Sequence, residues 1–194
     1  MSDFYLYFGT GWHHIISKEA LDHILFIVAL ASIYQLQNWR RLLVLVTAFT
    51  IGHSLTLALS VYDFVRFSQN WVEFLIPCTI VATAVYNFAL AKKNLQMLHW
   101  NYLISLIFGL IHGMGFANSI RFMLSGNQGI AIPLISFNIG LEVGQLFVVT
   151  ILLALGYVFV DVFKMKQAWW TIGLSSIAFI LALKMAIERV SYLL

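Results

Sequence analysis

The placement of charge along the chain constrains its fold more than any motif does. Long runs with almost no charge lie near residues 21–37, 41–62, 71–91, 100–119, 131–160 and 168–187, separated by short polar clusters. About 20 apolar residues in a helix cross the ~30 Å hydrocarbon layer of a bilayer. In a chain of 194 residues, 61% hydrophobic and 10% charged, six such runs leave little for a soluble domain. The expectation is a single all-α integral membrane domain over residues 1–194, a polytopic transmembrane bundle of six spans with a seventh possible.

The remaining segments are short. Residues 4–16, FYLYFGTGWHHII, are aromatic and too short to span, and read as an interfacial segment resting against the bundle. Residues 121–130, with Ser125, Gly126, Asn127 and Gly129, read as a loop. No lysine-bearing segment with a small-residue cleavage site precedes the first run, which argues against a cleaved signal peptide. Cys78, the single cysteine, cannot form an internal disulfide and reads as a small core residue.

Positive charge sets the expected orientation. Arg40 and Arg41, Lys92 and Lys93, and Lys164 and Lys166 mark three connections that share one side. The opposite side holds Lys18, Arg66, Arg121 and Arg189, partly offset by Asp3, Glu19, Asp63 and Glu188. The positive-inside rule places both termini outside the cytoplasm. The basic balance is thus explained by the membrane, and no nucleic-acid partner is expected.

Polar residues inside the apolar runs are the candidate site. His53 lies about 18 Å beyond Arg41, His112 about 18 Å beyond Trp100 and Glu142 roughly 15 Å into the fifth run, at ~1.5 Å of rise per residue. Asp22 and His23 open the first run from the outer side, so four runs send a metal-capable side chain to the outer half. Asn138, Glu142 and Gln145 share a helical face, as do His112, Gly115 and Asn118. Two GxxxG pairs, Gly109 with Gly113 and Gly140 with Gly144, are expected to press the fourth and fifth spans together beside His112 and Glu142. His14 is a further candidate, whereas His13 and His99 read as boundary residues and Glu73, Lys184 and Glu188 as anchors or an ion pair at span ends.

Imidazoles with carboxylates suit zinc, nickel, cobalt or iron(II), while calcium and magnesium prefer oxygen alone. The segments HHIISKEALDHILFIVAL, TAFTIGHSLTLAL, FGLIHGMGFA and FNIGLEVGQL resemble the HupE/UreJ family of bacterial membrane proteins, in its second branch, over nearly the whole chain. The resemblance implies a polytopic inner-membrane protein, and named members of the wider family are regarded as nickel or cobalt permeases. Its first signature, a histidine followed by an Asp-His pair, maps to His14, Asp22 and His23; its second, a His-Gly pair, maps to His112 and Gly113. The family's acidic residue after that pair has no counterpart in the same run, where Ala117 and Asn118 stand, and Glu142 is the carboxylate available from the next.

The leading expectation is a divalent transition-metal permease with an outward-facing site of His14, Asp22, His23, His53, His112 and Glu142. The competing one is an intramembrane metalloenzyme acting on a lipid or peptide of the outer leaflet, with Glu142 as ligand or general base and Ser54 or Asn118 orienting substrate. A non-transporting metal sensor is a third. The partners expected are the bilayer and a metal ion, with a homo-oligomer left open.

Overall fold

The computed structural model describes residues 3–17, 20–93, 98–124 and 129–193. Seven α-helices occupy them: α1 (Asp3–Ile16), α2 (Leu21–Ala31), α3 (Trp39–Val61), α4 (Gln69–Lys93), α5 (Leu98–Leu124), α6 (Ala131–Gly156) and α7 (Gln167–Val190). A 3-10 turn (Leu36–Asn38) leads into α3, and a π-helical turn (Tyr157–Val162) follows α6. No strand occurs among the described residues. Four stretches, Leu36–Val61, Gln69–Ala91, Ala131–Val162 and Gln167–Val190, are long and apolar enough to cross a membrane. Helix α5 has 27 residues and extends through Leu124 into the expected loop, of which residues 125–128 lie outside the described residues. Lys18 and Glu19 of the charge count lie outside them too.

The first apolar run does not form one long helix. Helix α2 has 11 residues, about 16 Å of rise and half a membrane crossing. Its end is stabilised from a distance, because the last carbonyls of a helix need partners that lipid cannot supply. Asn87 Nδ2 donates to the Ala29 carbonyl at 2.7 Å, and Gln167 Nε2 and Thr171 Oγ1 donate to the Ser32 carbonyl at 3.0 and 2.9 Å. Side chains of α4 and α7 thereby complete the stop.

Helix α1 precedes α2 and packs along α6. It rests against the bundle, as expected, and its direction is now defined: Phe8 meets Gly140, Gly11 meets Phe137 and Leu141, and Ile15 meets Gly144, so α1 and α6 run parallel. Helix α2 continues the same way, from the Asp22 end near Arg189 to Ser32 beside Gln167. Thus α1 and α2 follow one another in the same direction with a break between them. His14 lies in the last turn of α1 and Asp22 and His23 in the first turn of α2, on either side of the break.

The glycine pairs join different helices from those expected. Gly109 and Gly113 of α5 lie on the backbone of Phe49 and His53 in α3, where Gly52 answers from the other side against Leu106. Gly140 and Gly144 of α6 mate with α1, where Gly11 answers. Each interface takes small residues from both helices, and that matching selects the partner: α3 for α5, and α1 for α6. Helix α4 runs antiparallel to α7, bonded at one end by Asn70 to the Tyr192 carbonyl and near the middle by Asn87 to Ser175. Helix α2 lies inside, with Phe26, Ile27 and Ala29 buried.

Candidate metal centre

Four helices each bring one histidine to a common centre: His14 from α1, His23 from α2, His53 from α3 and His112 from α5. Ring centroids are 4.8 Å apart for His14 and His23, 6.2 Å for His23 and His53, 6.3 Å for His14 and His53, and 4.9 Å for His23 and His112. His23, His53 and His112 are buried and His14 is half-buried. One nitrogen each from His14, His23 and His53 can be chosen so that all lie within 4.8 Å of one another. Nitrogens around a tetrahedral ion with ~2.05 Å bonds stand roughly 3.3 Å apart, so an ion would draw the rings inward by about an ångström.

The bonding of these rings leaves a set of nitrogens free for a ligand. Nε2 of all four is buried without a hydrogen-bond partner, and His53 has no partner at Nδ1 either. In an apolar interior each unpaired polar atom costs several kcal/mol. Two of the rings are fixed from behind. His23 Nδ1 donates to Asp22 Oδ1 at 2.9 Å, and His112 Nδ1 donates to the Phe108 carbonyl at 2.9 Å. A proton held on Nδ1 leaves the lone pair on Nε2, the state a metal needs, and carboxylate-backed histidines are the usual arrangement around bound ions. Asp22 Oδ1 also accepts the His23 backbone N–H at 2.8 Å, which fixes the carboxylate in turn. Replacing Asp22 with alanine is expected to weaken divalent-metal affinity by ~10–100-fold while the protein stays folded, as metal titration would show.

Aromatic rings close most of the surround. Phe116 and Phe137 stack at 5.0 Å beside His14 and His53. Phe26 packs on Phe49 at 5.1 Å and on Phe108 at 5.2 Å, forming a floor beneath His23 and His112. On the other side a cavity of ≈ 230 Å³ reaches His14, Asp22, His23 and His112 and is lined further by Gln69, Glu73 and Arg189. Glu73 begins α4 and Arg189 ends α7, so sequence alone reads both as charges at span ends. The available signal was Pro77, four residues after Glu73. Proline has no N–H, so the Glu73 carbonyl loses its helical donor. Arg189 Nη1 takes that carbonyl at 2.6 Å.

Glu142 is placed apart from the cage. Its Oε1 accepts from Thr47 Oγ1 at 2.7 Å, and one turn away Gln145 Oε1 accepts from Thr50 Oγ1 at 3.1 Å. Thr47 precedes His53 by six residues, about 9 Å along α3. The polar face of α6 therefore meets α3 below the histidines, and Glu142 does not line the cavity. It could share a site with His112 if α5 and α6 were packed together, but each is packed on another helix. Asn138, nearer the N-terminal end of that face, approaches the His53 ring, and its Oδ1 makes no close hydrogen bond. Ser54 donates to the Thr50 carbonyl at 2.6 Å, and His13 is exposed. The side chains of His99 and Asn118 lie outside the described residues. Lys184 and Glu188 form an exposed ion pair at 3.7 Å.

A family model described as HupE / UreJ protein matches residues 1–189. No curated protein and no solved structure matches the chain.

Proposed function

The chain belongs to the HupE/UreJ family, and from that premise we propose that it is a divalent transition-metal permease of the bacterial inner membrane. Nickel, cobalt, zinc or iron(II) is its cargo. The observation that carries this reading is the convergence of four buried, unpartnered Nε2 atoms from four helices. The ion enters the outer cavity past Glu73 and Asp22 and exchanges water for the imidazoles of His14, His23 and His53, with His112 beside them. Both termini lie outside the cytoplasm, which the paired basic residues of the other three connections support. Proteoliposomes holding the purified protein are expected to accumulate nickel or zinc down a concentration gradient, and a reporter fused to the C-terminus to register the extracytoplasmic side. Stoichiometric metal that neither exchanges nor crosses would sink the permease reading.

One observation favours a second reading. The floor of Phe26, Phe49 and Phe108 closes the cage toward the cytoplasmic half, which suits a retained ion serving chemistry at the outer leaflet. Metal exchange in the same proteoliposomes separates the two.

A further inference from the structure

We propose that the outer cavity receives the metal together with a small carboxylate anion, bound between the ion and the guanidinium of Arg189. The inference deepens the metal-binding reading above and rests on it.

Arg189 is a permanent cation in the cavity that leads to a cation site. Repulsion between the two works against the ion unless negative charge lies between them. The carboxylates already lining the cavity each commit one oxygen to a neighbouring side chain or backbone. Asp22 Oδ1 accepts from both the ring and the backbone of His23, and Glu73 Oε1 accepts from Gln69 Nε2 at 2.8 Å. Among the described residues, no carboxylate lies within ion-pair distance of Arg189.

The arginine is also held in place. Its bond to the Glu73 carbonyl depends on Pro77, whose missing N–H leaves that carbonyl free. That contact uses one N–H, whereas a guanidinium carries five in a planar fork that matches a carboxylate. Charge balance points the same way. With neutral histidines, a divalent ion and Arg189 against Asp22 and Glu73 leave a formal charge of about one positive unit, which one monoanion cancels. The three nitrogens that can close on one ion, from His14, His23 and His53, leave a divalent transition ion coordination positions to spare, and a cavity of ≈ 230 Å³ that reaches His14 and His23 has room for a small ligand there.

The test is nickel affinity of the purified full-length protein in a non-coordinating buffer, with chloride alone, with acetate or with bicarbonate. At least one carboxylate arm should tighten binding about tenfold over chloride, and the pair of arms distinguishes an organic acid from bicarbonate. Arg189→Met removes the charge and keeps an apolar stem. It should bind nickel alone more tightly than the unmodified protein and gain nothing from either anion. Should that variant fail to fold, Arg189→Lys, which keeps the charge and loses the fork, should retain only part of the gain. Equal affinity in all three arms, or a full anion gain in the arginine variants, overturns this proposal while leaving metal binding intact. Absence of nickel binding in every arm overturns the metal reading with it.

Discussion

Replacing His53 with alanine is expected to strip the protein of its divalent metal, lowering affinity by at least about 100-fold. Losing a group that only orients a ligand already weakens binding by ~10–100-fold, and losing the ligand itself should exceed that. His53 is the residue of choice because it is fully buried and neither ring nitrogen makes a close hydrogen bond, although the Asn138 side chain approaches it. A structural histidine is held by hydrogen bonds, and removing it would break them. Here the Asn138 side chain offers only a long contact, so the metal-free variant should lose little beyond packing. The two roles separate in a thermal unfolding experiment in detergent. Metal at ~100 times its dissociation constant should stabilise the unmodified protein by about 2.7 kcal/mol, and the alanine variant by almost nothing at the same concentration. Equal metal content and equal metal-induced stabilisation in two folded proteins would return His53 to a packing role.

The clustering of the histidines is legible in the sequence for a physical reason. A histidine in an apolar run has few ways to exist, so His23, His53 and His112 declared themselves by position alone, and Asp22 by standing next to His23. His14 was harder to place, since its segment is too short to span. It reaches His23 because α1 ends where α2 begins, and α2 stops early because Asn87, Gln167 and Thr171 donate to carbonyls at its end. Those residues are 55 or more positions away in the chain, and no local pattern reports them. Glu142 failed to join the histidines for a similar reason. The polar face it shares with Asn138 and Gln145 demands protein or water beside it, but the face does not name the neighbour, which is Thr47 of α3. Glu73 and Arg189 are 116 residues apart, and what brings them together is the carbonyl that Pro77 leaves free.

Gly109→Ala is expected to destabilise the protein by about 1–3 kcal/mol or more, the range for forcing extra atoms into a packed interior. The magnitude follows from what the new methyl would meet. At Gly109 it runs into the backbone carbonyl of Phe49, at Gly52 into that of Leu106 and at Gly113 into that of His53. Backbone cannot rotate out of the way as a flexible side chain can, so α3 and α5 must separate. Gly173 in α7 provides the contrast, with nothing within 4 Å of the same added atom. There alanine should stabilise by roughly 0.5–1 kcal/mol, because glycine is the poorer helix former. Thermal unfolding in detergent measures both changes, and similar effects at the two positions would refute a backbone-tight α3–α5 seam. The seam also bears on the site. Helix α3 carries His53 and α5 carries His112, and Gly113 adjoins His112 where its backbone meets that of His53. A separation that lowers stability should therefore weaken metal binding in Gly109→Ala as well, whereas Gly173→Ala should leave metal affinity unchanged. In lipid there is no hydrophobic force to drive helices together, so close backbone packing of this kind is what holds His53 and His112 in the same cluster.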